Sequence, residues 1–143
     1  MKFVIINGPN LNMLGIREPG IYGSDNYETL LNKIKTKADE MDVSVEFFQS
    51  NHEGAIIDKI QECYGNTDGI VINPGAYTHY SYAIHDALKS VMIPTVEVHI
   101  SDIHSREEFR RISVTAPACI AQISGKGLDG YLLAMEELVN AKA

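Results

Sequence analysis

The stretch that decides the fold is residues 3–23, FVIINGPNLNMLGIREPGIYG. It opens with a short apolar run from Phe3 to Ile6, rich in β-branched residues, which predicts a strand. The run breaks at residues 7–10, Asn-Gly-Pro-Asn, where glycine and proline indicate a turn. Residues 11–23 then show no helical or strand period, and a loop of this length in a compact domain is either disordered or functional. Because ligands of open α/β sheets bind at the carboxyl ends of strands, we interpret residues 12–23 as the loop of a functional site.

The composition fits one globular domain. The chain has 143 residues, 45% hydrophobic and 22% charged, so we expect residues 1–143 to form a single domain around one core. Its net charge of −7 argues against nucleic acid as a partner. No apolar run has the length of a membrane span, and Cys63 and Cys119 lack a C-x-x-C spacing. We therefore expect buried free thiols in a reducing compartment, the cytoplasm, and no membrane partner.

Apolar periodicity along the rest of the chain alternates between helix and strand. The pattern predicts helices at 26–41, 56–64, 81–91 and 128–139, and strands at 43–48, 69–73, 95–100 and 118–124. Residues 105–108, Ser-Arg-Glu-Glu, have the form of a capping box that opens a short helix. Alternating strands and helices imply an α/β fold, a five-stranded parallel sheet, doubly wound and flavodoxin-like, with helices on both faces.

Polar residues follow three strands that should meet. In such a sheet the ends of the first, third and fourth strands converge where the strand order reverses. Asn10 follows the first strand, residues 73–79 follow the third, and His99, Ile100 and Ser101 end the fourth. This placement predicts a polar pocket at that edge of the sheet.

Four motifs, in order and spacing, resemble those of one family. They are NGPNLNMLGIREPGIYG at 7–23, INPGAYTHYS at 72–81, EVHISDIHSREEFRR at 97–111 and GKGLDGYLLAMEEL at 125–138. Together they are similar to type II 3-dehydroquinate dehydratase, the dehydroquinase of the shikimate and quinate pathways. The resemblance implies a flavodoxin-like lyase that converts 3-dehydroquinate to 3-dehydroshikimate by anti elimination through an enolate, in aromatic amino acid biosynthesis. It also implies that residues 12–23 form a lid and that no cofactor is needed, since the reaction requires only proton transfers.

Dehydration of a β-hydroxy ketone needs a base for the α-proton, a stabiliser for the enolate and an acid for the leaving hydroxyl. Tyrosine is a poor base at its usual pKa of about 10 unless a cation stabilises the phenolate. The resemblance makes Tyr22 the proton acceptor and Arg17, always protonated, its activator and transition-state stabiliser. Asn10 would stabilise the enolate, directly or through water. On the residues alone, a turn at Arg17, a packing role for Tyr22 and a local turn hydrogen bond for Asn10 stay open.

The fourth strand offers the acid. Period-two alternation places Glu97, His99 and Ser101 on one face. A carboxylate beside an imidazole orients it and favours its charged form. By resemblance His99 donates the proton to the leaving hydroxyl and Glu97 orients it. The alternative is a structural histidine whose neighbours satisfy its nitrogens.

The resemblance also assigns substrate contacts. His79 and Arg110 would bind substrate hydroxyls, although charge pattern alone does not separate Arg110 from Arg106 and Arg111. The substrate carboxylate would be held by a set of donors from two strand ends: Asn73, the N–H groups of Ile100 and Ser101, and the Ser101 hydroxyl.

Assembly is implied only by the resemblance, as a homododecamer, a tetramer of trimers. Asp86 matches a position that contacts the site from a neighbouring subunit. His85 stands before it where the family pattern has arginine.

The remaining histidines, His52, His85 and His104, are expected to be surface or structural residues. We expect no metal, because His99 and His104 lack a firm ligand spacing and no cysteine or acidic cluster joins them.

Two other functions compete with the lyase. A flavodoxin-like module for a nucleotide or flavin would use residues 7–10 as a phosphate loop, but these lack both G-x-G-x-x-G and G-K-[ST]. A catalytically inactive homologue is disfavoured because the motif side chains are all present.

Overall fold

The computed structural model describes residues 1–16 and 25–142. Within these ranges one five-stranded parallel sheet forms, in the order β2-β1-β3-β4-β5. The strands are β1 (Lys2–Asn7), β2 (Ser44–Gln49), β3 (Gly69–Asn73), β4 (Thr95–His99) and β5 (Ala121–Ser124). This confirms the predicted flavodoxin-like α/β fold. After β1 the chain adds β2 on one side and β3 on the other, so the strand order reverses at β1 and β3 and opens a crevice at their carboxyl ends.

Four α-helices connect or follow the strands in the described residues. They are α1 (Tyr27–Met41), α2 (Glu53–Glu62), α3 (Tyr82–Val91) and α4 (Asp129–Lys142). Their positions confirm the predicted helices within a few residues. α1 begins where expected, because the Asn26 side chain accepts a hydrogen bond of 2.8 Å from the Thr29 N–H. None of the helices in the described part of the chain is long and apolar enough to cross a membrane.

The core lies on both faces of the sheet, as alternation along the strands requires. In β1, Phe3 and Ile5 pack with α1 and α4, while Val4 and Ile6 pack with α2 and α3. All four are at most 1% exposed. Burying each such side chain contributes about 1.5–3 kcal/mol, so the apolar run of β1 anchors the sheet and fixes where its polar end emerges.

Two sequence expectations between β4 and α4 were wrong. Ser105 does not cap an α-helix: it ends a 3-10 helix, Ile103–Ser105, that is capped instead by the Asp102 side chain on the His104 N–H. A second 3-10 helix, Glu108–Arg110, follows. β5 begins three residues later than predicted, because Ala116–Ala118 forms a 3-10 helix around Pro117, which has no N–H for a sheet ladder.

The ends of β1 and β3 approach each other closely. The Gly8 N–H donates to the Asn73 carbonyl at 2.8 Å. A Cβ at Gly8 would lie 2.5 Å from the carbonyl oxygen of Pro74. The glycine is therefore required by backbone packing, and it holds the residues after the two strands in fixed relation.

We predict that Gly8→Ala destabilises the protein by about 1–3 kcal/mol, because the added methyl meets backbone that cannot rotate away. The free energy of unfolding from urea titration measures the effect. Gly54→Ala in α2 is the matched control, since a Cβ there meets nothing within 4 Å. The control should be neutral or stabilised by up to about 1 kcal/mol. Equal effects of the two substitutions would contradict the packing role of Gly8.

Candidate active site

A cavity of about 150 Å³ opens at the carboxyl ends of β1, β3 and β4. Its position confirms that the strand-order reversal places a pocket at this edge of the sheet. The lining residues come from the segments that follow the three strands. They are Pro9, Asn10, Leu11, Leu14, Asn73, Gly75, Ala76, His79, His99, Ile100, Ser101, Ile103, Arg106 and Arg110.

The charge of the lining is opposite to that of the chain. Arg106 and Arg110 line the cavity, and no aspartate or glutamate does so among the described residues. The protein as a whole carries −7. Local arginines in a partly enclosed site outweigh the overall charge, so the cavity suits an anionic ligand.

Glu97 and His99 form a buried pair at the end of β4. Glu97 is fully buried, His99 is 5% exposed, and His99 Nε2 lies 2.8 Å from Glu97 Oε2. Three further side chains donate to the same carboxylate. Ser113 Oγ and Gln122 Nε2 donate to Oε2 at 2.7 and 2.9 Å, and Thr115 Oγ1 donates to Oε1.

These partners keep Glu97 ionised. Burial by itself raises the pKa of a carboxyl, but the hydrogen bond and charge of His99, with the hydrogen bonds from Thr115 and Gln122, lower the pKa of Glu97 to about 2. An ionised carboxylate only accepts hydrogen bonds. His99 Nε2 must therefore carry a hydrogen and donate it to Glu97.

The second ring nitrogen of His99, Nδ1, is available to a ligand in the cavity. Nδ1 makes no hydrogen bond to another residue of 1–16 or 25–142. With Nε2–H committed to Glu97, gain or loss of a proton at His99 takes place at Nδ1. The pair can thus deliver a proton to a ligand and return to a neutral imidazole without changing its contact to Glu97.

His79 is held in the complementary way. It ends the 3-10 helix Gly75–His79, and its Nδ1 lies 2.8 Å from the carbonyl oxygen of Ile112. A carbonyl only accepts, so Nδ1 carries the hydrogen. In the neutral ring Nε2 is then an acceptor, suited to a ligand hydroxyl at the cavity wall.

Asn10 adopts a left-handed conformation, with φ of 70°. Asparagine tolerates this region better than most residues. Its backbone is occupied, since the N–H donates to Asn51 Oδ1 at 3.0 Å and the carbonyl accepts from Met13 N at 2.9 Å. Its side chain makes no hydrogen bond to the other described residues, and it lines the cavity. A local turn hydrogen bond from the Asn10 side chain is therefore not seen in this part of the chain.

The side chain of Asn73 is oriented by a hydrogen bond to Tyr131 in α4. Its Nδ2 donates to the Tyr131 hydroxyl at 3.0 Å, and its Oδ1 accepts from the Gly75 N–H at 3.1 Å. Tyr131 in turn donates to Asn7 Oδ1 at 2.6 Å. The fully buried Tyr131 thus joins the ends of β1 and β3. The second hydrogen of the Asn73 amide remains for a ligand.

Ile100 and Ser101 lie where β4 turns away from the sheet, and both line the cavity. Their carbonyls accept hydrogen bonds from Gly127 N and Ser124 Oγ. Successive N–H groups at a strand end can bind an anion, so this stretch of the wall suits an anionic ligand.

The structure sets Arg111 apart from the other two arginines that the charge pattern left open. Arg106 and Arg110 line the cavity, whereas Arg111 is exposed and its Nε donates to the Arg106 carbonyl. Arg110 stacks over Phe109, 4.9 Å from the ring centre. Its buried Nε is 3.2 Å from Glu107 Oε2 but does not form a hydrogen bond with it. Arg110 therefore keeps donor capacity for a ligand, and Arg106 is a lining residue that the sequence did not single out.

Other expected residues fall elsewhere. Arg17, Tyr22 and most of the 12–23 loop lie outside the described residues. Asp86 is on the exposed side of α3 and does not line this cavity. His85 binds the Val114 carbonyl, while His52 and His104 are exposed. The described residues hold no group of three or more side chains suited to a metal ion.

The sequence did not predict the residues that hold the lining side chains by hydrogen bonds without lining the cavity themselves. Four of these carry hydroxyls and one an amide: Thr78, Ser113, Thr115, Tyr131 and Gln122. The one available signal was the period-two spacing of Ser113 and Thr115, which puts both side chains on one side of an extended segment.

The chain is similar to known proteins over nearly its full length. A family model described as dehydroquinase class II matches residues 1–139. The 3-dehydroquinate dehydratase of Lachnospira eligens is 65% identical, over 98% of this chain and 97% of the relative. That of Caldicellulosiruptor bescii is 64% identical, over 96% and 95%.

Solved structures agree. The crystal structure of type II dehydroquinase from Butyrivibrio crossotus matches with a TM-score of 0.95 and 64% identity, covering 97% of each chain. That of the Propionibacterium acnes type II dehydroquinase matches with a TM-score of 0.93 and 40% identity, over 97% and 96%. The chain therefore belongs to the class II dehydroquinase family, the type II 3-dehydroquinate dehydratases, and is a lyase.

Proposed function

We propose that this lyase removes water from 3-dehydroquinate to give 3-dehydroshikimate, by anti elimination through an enolate, within the shikimate pathway. The observation that carries the mechanism is the Glu97–His99 pair at the wall of a cationic cavity. It supplies an acid for the leaving hydroxyl beside donors for a carboxylate. Family membership supports the reaction class over the nucleotide-binding alternative.

The reaction consists of two proton transfers, one from carbon to Tyr22 and one from His99 to the leaving hydroxyl. Tyr22, as phenolate beside Arg17, takes the α-proton, and the electron pair moves onto the ketone oxygen to form the enolate. Asn10, whose side chain is not used by the described turn, stabilises that oxygen directly or through water. The enolate then re-forms the ketone as the C–O bond breaks, and His99 Nδ1 gives its proton to the departing hydroxyl. Water leaves, and solvent returns the proton from Tyr22 to His99.

The remaining contacts orient the substrate. We assign the substrate carboxylate to Asn73 and to the Ile100 and Ser101 N–H groups with the Ser101 hydroxyl. His79 Nε2 and Arg110 bind substrate hydroxyls. Holding the reacting groups in this geometry contributes to the rate by removing orientational freedom from the transition state.

Residues 12–23 form the lid of the proposed single catalytic domain, 1–143. The part of this loop that the structure describes starts with the 3-10 helix Leu11–Met13, and Leu14 lines the cavity. Closure of such a loop excludes water and completes the catalytic set, here by bringing Arg17 and Tyr22 to the substrate.

We further propose a homododecamer, a tetramer of trimers, in which Asp86 contacts a neighbouring subunit's site. Exposed apolar side chains near the cavity support an interface: Tyr80, Tyr82, Phe109 and Ile112 are each more than half exposed. Large exposed apolar patches are typical of protein–protein contacts.

A cytoplasmic location is proposed from the cysteines. Cys63 and Cys119 are free, and burial raises the pKa of both thiols, that of Cys119 to about 12. Such thiols stay protonated and unreactive, as in cytosolic proteins.

We predict that Tyr22→Phe and His99→Ala each lower product formation by about 10²–10⁴-fold, because each removes one proton-transfer group. The absorbance of the conjugated enone product measures the rate. Tyr64→Phe and His104→Ala, at exposed positions that do not line the cavity, are the matched controls and should retain wild-type rates. A folded wild type without product would contradict the reaction, and full activity in Tyr22→Phe would place the base elsewhere.

We predict that Glu97→Gln lowers kcat and changes how stability depends on pH. The pKa of Glu97 is about 2 in the folded protein against an ordinary 4.5, so its ionised form stabilises the fold by about 3 kcal/mol above pH 5. That contribution is lost as pH falls from about 5 towards 2. The unfolding free energies of wild type and variant, measured by urea titration between pH 7 and 3, should therefore converge at low pH. A pH-independent difference would contradict the ionised Glu97.

A further inference from the structure

Residues 112–115, Ile-Ser-Val-Thr, bind two histidines directly, His79 and His85, and reach a third, His99, through Glu97. The carbonyl of Ile112 accepts from His79 Nδ1 and that of Val114 from His85 Nδ1, both at 2.8 Å. The side chains of Ser113 and Thr115 donate to Glu97, which binds His99. Along this short segment the contacts alternate. The backbone carbonyls of Ile112 and Val114 bind histidine rings, and the hydroxyls of Ser113 and Thr115 bind the Glu97 carboxylate.

Counting hydroxyl hydrogens fixes the direction of this network. Ser113 and Thr115 each have one hydroxyl hydrogen, and an ionised Glu97 takes both. Thr78 Oγ1 lies 2.8 Å from each of these oxygens. Because both of their hydrogens go to Glu97, the single hydroxyl hydrogen of Thr78 points to one of them or is shared between the two. Ser113 Oγ also accepts from the Ala116 N–H at 2.9 Å. The Ser113 and Thr115 hydroxyls are then both oriented toward the carboxylate, with the Thr78 hydroxyl behind them.

We propose that Ser113 is a positioning residue for the dehydration, acting through Glu97 on His99. It does not line the cavity, so it has no contact with the substrate. Its hydroxyl shares Glu97 Oε2 with His99 Nε2, and it sets the rotation of the carboxylate that points the imidazole at the cavity. It also joins β4 to Thr78, next to His79 in the 3-10 helix, so the acid and the hydroxyl-binding histidine share one support.

This inference rests on the proposed role of His99 as acid, and it gives a defined kinetic signature. In Ser113→Ala, Glu97 loses a fixed donor and the imidazole loses its orientation. We expect kcat to fall about 10- to 100-fold with KM within about 2-fold of wild type, because misplacing a reacting group affects the chemical step. Ser113→Thr keeps the hydroxyl and should restore most of kcat. Thr115→Val tests the other hydroxyl and should lower kcat in the same way.

The experiment measures kcat and KM on the folded fraction of each variant, with Ser44→Ala at the amino end of β2 as matched control. Ser44 is exposed, and within the described residues its hydroxyl donates only to the Met1 carbonyl, so its variant should behave as wild type. Ser113→Ala is also placed in the Glu97→Gln background, where it should lower kcat by no more than about 2-fold. Non-additivity of this kind is expected for groups that act as one unit.

The outcomes distinguish the positioning role of Ser113 from the proposed role of His99 as acid. Wild-type kcat in Ser113→Ala, or an equal loss in Ser113→Ala and Ser113→Thr, overturns the positioning role while leaving the proposed reaction intact. A full additional loss in the Glu97→Gln background overturns it as well. Wild-type activity in His99→Ala instead overturns the assigned acid, whatever Ser113 does. If Ser113→Ala does not fold, Thr115→Val decides the role of the hydroxyl donors through the same comparison.

Discussion

A fully buried carboxylate is the constraint on which this site depends. Removing Glu97 from water costs several kcal/mol unless hydrogen bonds replace its hydration. The protein supplies four donors, from His99 on the same strand, Gln122 on the neighbouring strand, and Ser113 and Thr115 between them. Each donor is thereby held in one orientation. The same requirement that keeps the carboxylate stable thus fixes the His99 ring and ties the irregular chain after β4 to the sheet.

The sheet determines the position of the cavity beside which Glu97 is buried. β1 is buried on both faces, and its polar end meets that of β3 through a glycine contact too close for any side chain. Tyr131 joins the same two ends from the final helix. The cavity therefore has a floor built from the ends of three strands. The Glu97–His99 pair belongs to this floor, so its geometry is set by the sheet.

The regular part of the fold follows from the sequence because it depends on local periodicity. The apolar runs of β1 and β3 and the alternation of Glu97 with His99 need only strand geometry, and the structure confirms them. The region after β4 was less predictable. There, side-chain contacts replace helix and sheet ladders, so the capping pattern at Ser105 was misleading. Ser113 and Tyr131 could not be found locally, since they meet Glu97 and Asn7 at separations of 16 and 124 residues.

The site depends on Glu97 binding the Nε2–H of His99 and leaving Nδ1 to exchange the proton. Nitrogen-15 NMR of the histidine rings tests it directly, with His99→Ala identifying the signal. We predict that neutral His99 in the wild type is the Nε2–H form, with that hydrogen slow to exchange with solvent, and that protonation adds a hydrogen at Nδ1. A neutral His99 with its hydrogen on Nδ1 would contradict the claim, because Glu97 would then face a nitrogen without a hydrogen to donate.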